Sequence, residues 1–279
     1  MTVDQDKLRL LSIATRTAAW SLILAATTAV MDVGSGHAAP TNEPAKTAKV
    51  LLAVLAHPDD ETVCAGVLAR AEACSWEVRV IFATSGDHGS DVSGRNLKGA
   101  ALGKEREREA ACALTALGVK RPPAFLGFGD GSLTAMRTQV TERLVKELAG
   151  VKADVILTFG PDGFTRHRDH IAIGAATDEA AKRVSPVSAV YHAVLGRQLR
   201  GWAEAAGAEI PKGVKLPENL VTVDVQEFQD RRLASLDCHK TQWKPEVQAR
   251  LREFRNDYLF EEFLWAGEGS GAPGKWVGP

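Results

Sequence analysis

The sequence predicts an α/β fold: a Rossmann-like open, mostly parallel sheet with helices on both faces. Three observations point there. Short, nearly continuous apolar runs match strands buried on both faces of a parallel sheet. Longer segments of helical periodicity separate them, and the residues richest in chemistry stand directly after strands, where open α/β sheets collect their ligands. The 279 residues carry 34 Lys+Arg against 35 Asp+Glu, a net charge of -1, with 45% hydrophobic residues. That is a globular composition with no field to attract a nucleic-acid backbone or an anionic membrane surface.

The elements follow in chain order. Lys7, Arg9 and Arg16 precede an apolar stretch from Ala18 to Met31, which leads to small residues at Gly36 and Ala38. This is the order of a secretory signal peptide cleaved after Ala38. Residues 1–38 are therefore expected to be a signal and 39–48 a linker rich in Pro, Thr and Ala, leaving 49–279 as a single domain. A hydrocarbon core takes roughly 20 apolar residues to cross, so no stable membrane span is expected after cleavage. An uncleaved anchor is the alternative. Val50 to Ala56, Val78 to Thr84 and Ala153 to Phe159 read as buried strands, with Ala124 to Leu126 and Ser188 to Leu195 as weaker ones. Helical patterns cover Glu61 to Cys74, Lys104 to Leu117, Thr138 to Ala149 and Ile171 to Arg183. The C-terminal third adds an extended piece, Val221 to Val225, then helical patterns at Gln226 to Gln242 and Glu246 to Phe254. Cys64, Cys74, Cys112 and Cys238 show no CxxC spacing, and their pairing stays open.

Two strand ends carry the chemistry. The first runs into His57-Pro58-Asp59-Asp60-Glu61, an imidazole and three carboxylates within five residues. Helix capping accounts for one or two of those acids, but not for a histidine at the end of a buried strand. Another strand leads to Arg166-His167-Arg168-Asp169-His170, and by the strand-end rule both motifs face one crevice. A mononuclear catalytic zinc site needs about three N or O ligands, an open position and a carboxylate that is not itself a ligand. Adjacent aspartates can divide that work, and Pro58 stiffens the turn that presents them.

On these motifs the chain resembles the N-acetylglucosaminyl-phosphatidylinositol de-N-acetylase (LmbE-like) zinc deacetylases, from about Lys49 to about Trp243. The family's His-x-Asp-His is matched by His167, Asp169 and His170. Weaker agreements are Thr84 to Gly89 with a Thr-x-Gly loop, Arg106 and Glu109 with an Arg-x-x-Glu helix, Asp130-Gly131 with an Asp-Gly turn, and His239 to Gln242 with a late His-x-x-Gln. The resemblance implies a metal-dependent hydrolase acting on a linear amide, releasing acetate and an amino sugar from an N-acetylglucosamine-containing or related N-acyl substrate. It implies His57, Asp60 and His170 as zinc ligands, a set that iron(II) also suits. It makes Asp59 the general base, His167 the partner of the oxyanion, and Asp169 the carboxylate that holds an imidazole.

Arg106 and Asp130 are candidate substrate contacts. Arg166 and Arg168 replace residues that are often Gly and Pro in the family, and either guanidinium could meet a phosphate or carboxylate on the substrate. His88 reads as a solvated loop residue and His192 as a core histidine, while His239 is a candidate to approach the site. The partner expected is a small-molecule glycoside or N-acyl amine. Two other readings remain at this point: an amidase for another acylated amine, such as an acylated antibiotic or thiol precursor, and a secreted carbohydrate-binding protein without turnover.

Overall fold

The computed structural model describes residues 48–184, 187, 189–196, 200, 220–257, 259–265, 276, 278 and 279. The expected signal and all but the last residue of the expected linker lie outside them. Lys46–Pro279 forms one compact unit.

Among the described residues, seven strands make one sheet in the order β3-β2-β1-β4-β5-β7-β6. β1 (Val50–Leu55), β2 (Glu77–Thr84), β3 (Ala124–Phe128), β4 (Val155–Phe159) and β5 (Ala189–Ala193) are mutually parallel. β1 and β4 are buried almost throughout, because helices cover both faces, and this is why they read as unbroken apolar runs. β6 (Leu220–Asp224) and β7 (Phe260–Trp265) close one edge antiparallel to their neighbours. β7 is absent from the sequence reading: Phe-Glu-Glu-Phe carries two adjacent acids, which mask a strand pattern. The structure satisfies Glu261 inside the protein, where its carboxylate accepts from the backbone N–H groups of Gly66 and Val67 and faces Arg232.

Among the described residues the helices of more than one turn are α1 (Ala65–Ala73), α2 (Gly99–Leu117), α3 (Arg137–Val151), α4 (Arg168–Arg183), α5 (Gln229–Leu236) and α6 (Pro245–Asp257). α2 and α4 begin earlier than their periodicity predicts, at Gly99 and Arg168, and two other patterns divide. The pattern from Glu61 divides into a 3-10 turn, Asp60–Val63, before α1 begins. The pattern from Gln226 starts as a 3-10 turn and its helix ends at Leu236, so His239 lies in a loop and not on a helix.

Strand order reverses direction between β1 and β4, the point where an open α/β sheet leaves a crevice beyond its carboxyl ends. Both histidine motifs leave those two strands. α4 can pack close to the end of β4 because Gly174 has no side chain: a Cβ there would stand 2.1 Å from the Phe159 carbonyl oxygen.

Candidate metal centre and active site

The turn after β1 is built by its own carboxylate. Asp60 Oδ2 accepts from the backbone N–H groups of Ala56 (3.0 Å) and His57 (2.8 Å), which folds the chain back and leaves Oδ1 facing His170 Nε2 at 3.0 Å. Asp59 adopts φ 101°, ψ -18°, a left-handed conformation that costs a residue with a Cβ on the order of 1–3 kcal/mol. The strained backbone turns its carboxylate into the cavity. Among the described residues that carboxylate has no hydrogen-bond partner.

The second motif begins α4. His167 precedes the helix, and its Nδ1 accepts from the backbone N–H of Asp169 at 3.2 Å. An imidazole accepting at Nδ1 carries its neutral-state proton on Nε2. One helical turn on, His170 lies against the Phe159 ring. Its Nδ1 is 3.0 Å from the Gly163 carbonyl oxygen, which can only accept, so once the ring is neutral the lone pair is on Nε2, toward the cluster.

His57 joins the two motifs. Nδ1 is 3.5 Å from Asp60 Oδ2, and Nε2 is 3.2 Å from Asp130 Oδ1 and 3.4 Å from Asp169 Oδ2. Asp169 is fully buried, and its carboxylate also accepts from the N–H groups of Gly131 (2.7 Å) and Leu133 (3.1 Å). It thereby ties the loop after β3 to α4 and holds the ring of His57, not that of the adjacent His167; it anchors the site and does not line the cavity. Asp130, a candidate substrate contact by sequence, lines the cavity with one oxygen turned to His57.

The electrostatics follow from this packing. Burial alone would lower the His57 pKa, but hydrogen bonds with Asp130, Asp169 and Asp60 outweigh it and push it up to about 12. Burial opposes the ionisation of Asp60 as well, yet the charge of His170 and bonds from both imidazoles hold its carboxyl well below the usual range. Asp59 has no such compensation. Burial first, and then the Asp60 charge, push its carboxyl up to about 7. Burial lowers His167, and repulsion from His57 and His170 adds to it.

The donor set fits a metal. Asp60 meets the two imidazoles through different oxygens, Oδ1 at 3.0 Å from His170 Nε2 and Oδ2 at 3.5 Å from His57 Nδ1, each distance near the roughly 3.3 Å edge of a coordination tetrahedron with zinc bond lengths. Among the described residues, two combinations bring one donor atom per residue within 4.8 Å of each other: His57 with His167 and His170, and His57 with Asp130 and Asp169. In the last, both Asp169 oxygens already accept backbone N–H groups, so it is the more committed to structure. Two imidazoles and a carboxylate beside a free Asp59 is the arrangement of a zinc hydrolase that keeps one position open.

A cavity of about 400 Å³ opens over this cluster, lined by His57, Asp59, Asp60, Arg106, His167 and His170 among others. Arg106 reaches it across α2 but spends two donors on the loop after β2, bonding the carbonyls of Gly86 (2.8 Å) and Ser90 (3.1 Å). Gly89 makes room for it, since a Cβ there would lie 2.3 Å from the guanidinium. Arg166 and Arg168 are exposed, and neither lines the cavity. His88 is exposed and His192 is buried against Asp178. Sequence reading did not single out Val63, Phe164 and Trp243, which give the cavity its apolar walls. It also missed the partner of Glu61: His239 Nε2 lies 2.5 Å from Glu61 Oε1, both residues fully buried. The late His-x-x-Gln spacing was the available signal.

Residues 52–181 match the family described as PIG-L, GlcNAc-PI de-N-acetylase. A 1D-myo-inositol 2-acetamido-2-deoxy-alpha-D-glucopyranoside deacetylase of Saccharopolyspora erythraea is 32% identical, over 70% of this chain and 78% of the relative. Among solved structures, N,N'-diacetylchitobiose deacetylase of Pyrococcus horikoshii aligns with TM-score 0.57 and 20% identity, over 82% of this chain and 85% of that one. The 4-carboxy-2-hydroxymuconate hydratase GalB of Pseudomonas putida aligns as well, with TM-score 0.57 and 18% identity over 75% and 84%. The fold is therefore shared with a hydratase and does not settle the reaction. The family match and the identity to the sugar deacetylase do settle the kinship: this chain belongs to the PIG-L family of de-N-acetylases.

Proposed function

We propose that the protein is a zinc-dependent N-deacetylase that hydrolyses the acetamide of an N-acetylglucosamine-containing small molecule to acetate and the free amine. The observation that carries this reading is Asp59: a carboxylate with no hydrogen-bond partner among the described residues, turned into a cavity beside His57, Asp60 and His170. A protein that only bound carbohydrate would gain nothing from a strained aspartate with no ligand role.

His57, Asp60 and His170 would hold the metal, which when bound polarises the acetamide carbonyl and acidifies the attacking water. Asp59, with its carboxyl near 7, is poised to accept that water's proton at neutral pH. The neutral His167 presents Nε2–H to the carbonyl oxygen as it gains negative charge, a preorganised donor worth about 3 kcal/mol in the transition state. The Asp59 proton then passes to the nitrogen as the C–N bond breaks. The sugar deacetylase among the relatives supports the substrate class, and the apolar walls at Phe164 and Trp243 suit the face of a sugar ring.

The Cys112–Cys238 disulfide supports an oxidising compartment, and with the signal-like order of residues 7–38 it favours export. No described helix is long and apolar enough to cross a membrane.

Acetate release from a panel of N-acetylglucosaminides, with and without chelator, tests the reaction. Turnover should vanish with chelator and return with zinc. The Asp59→Asn protein should keep its metal and lose at least about 10²-fold in kcat. Normal turnover in that variant would remove Asp59 as the base.

A further inference from the structure

Three residues outside the proposed reaction, Glu61 and His239 fully buried and Gln242 half-buried, form a chain of bonds that ends on Asp59. Its backbone N–H donates to Glu61 Oε2 at 3.1 Å. The other Glu61 oxygen meets His239 Nε2 at 2.5 Å, and the second ring nitrogen of His239 lies 2.9 Å from the Gln242 side-chain amide. A glutamine amide nitrogen can only donate, so Gln242 fixes His239 Nδ1 as an acceptor and leaves Nε2 to donate to Glu61. Glu61 and His239 are both fully buried, where a carboxylate is retained only if paired.

The loop carrying His239 is itself clamped. Thr241 donates twice to Glu109 on α2, from its backbone N–H and its hydroxyl, each at 2.7 Å. Its carbonyl accepts from Val92 N–H at 3.0 Å. Cys238, next to His239, is bonded to Cys112, also on α2. A segment 178 residues along the chain is thus fixed where it holds Glu61. Glu61 in turn holds the N–H of the one residue in this turn with a left-handed backbone, φ 101°. Strained backbone persists where its surroundings over-determine it, and here the surroundings are these bonds.

We propose that Glu61 and His239 form a positioning pair that keeps Asp59 in its left-handed conformation, aiming its carboxylate at the reacting water. The inference rests on Asp59 being the general base. Neither Glu61 nor His239 exchanges a proton with substrate in this scheme. Their effect on the reaction passes through the geometry of Asp59, and a misplacement of about 1 Å suffices to cost on the order of 10²-fold.

The test is a double-mutant cycle on the zinc-loaded protein, with metal content and Tm recorded for every variant. Glu61→Gln and His239→Leu should each lower kcat by roughly 10- to 100-fold while KM stays within about twofold. His239→Gln, which keeps a donor toward Glu61, should recover part of the loss. In the Asp59→Asn background, Glu61→Gln should change the residual kcat by less than about threefold, because the positioned group is already disabled. Gln242→Met, a milder change at the half-buried end of the chain of bonds, should lower kcat with Tm unchanged if Glu61→Gln does not fold. Equal losses in both backgrounds, or full activity in Glu61→Gln, overturn the positioning role and leave the base assignment standing. Normal turnover in Asp59→Asn overturns the base assignment and this proposal with it.

Discussion

His170 lies flat on Phe159, the ring centroids 4.0 Å apart and the planes 3° from parallel. The two residues belong to different elements: Phe159 ends β4 and His170 stands in the first turn of α4. The stack and the bond to Gly163 leave the imidazole one orientation, with Nε2 toward Asp60. Orienting contacts of this kind typically contribute 10- to 100-fold to metal affinity.

Phe159→Leu should accordingly weaken zinc binding by about tenfold, measured by competition with a chromogenic chelator. His170→Ala should abolish stoichiometric binding, as should His57→Ala and Asp60→Ala. Full occupancy in the His170→Ala protein would show that another donor, such as His167, completes the site.

Metal uptake should depend on pH in a definite direction. A ligand imidazole must be neutral, and in the metal-free protein the carboxylates around His57 push its pKa up to about 12. At pH 7 that proton must leave when metal binds. Affinity should therefore rise as pH increases from about 6 to 8, with one proton released from His57 and a further contribution from His170, whose pKa Asp60 also raises against the effect of burial. Calorimetry in buffers of different ionisation enthalpy reads the proton count; no release would place the metal away from His57.

The Cys112–Cys238 bridge closes a separation of 126 residues between α2 and the loop after α5. In the chain-entropy view a loop of that length stabilises by about 5 kcal/mol, and measured values fall between roughly 2 and 5. The Cys112→Ala/Cys238→Ala protein should lose roughly 5–15 °C in Tm by calorimetry. Because His239 adjoins the bridge, kcat should fall in the same variant even at temperatures where it remains folded. An unchanged Tm would mean that the Glu109–Thr241 bonds alone secure the loop.

Arg166 and Arg168 stand outside the cavity wall, although each flanks a residue that lines it or neighbours the metal cluster. Arg166→Gln and Arg168→Gln should each leave KM for anionic and neutral N-acetylglucosaminides within about twofold of the parent protein. A selective rise in KM for the anionic substrate would bring a guanidinium back to the cavity mouth as a charge-recognition residue.

The sequence by itself determined the central sheet and the location of the chemistry. Strands such as Leu51 to Leu55 and Val155 to Phe159 are buried on both faces, so their identity is written in consecutive apolar residues, and the motifs that follow β1 and β4 are local in the chain. Non-local pairing was not legible. β7 is a strand because β5 and β6 flank it and because Glu261 finds the N–H groups of Gly66 and Val67; two adjacent acids carry no such instruction. Asp169 sits two residues from His167, yet its carboxylate serves His57, 112 residues away. Glu61 looked like a helix-capping acid, and only the folded chain joins it to His239. Periodicity and motif spacing report what a residue's immediate neighbours require. Which buried carboxylate meets which imidazole depends on how loops from different strands close over the switch point between β1 and β4, and tertiary structure alone decides that.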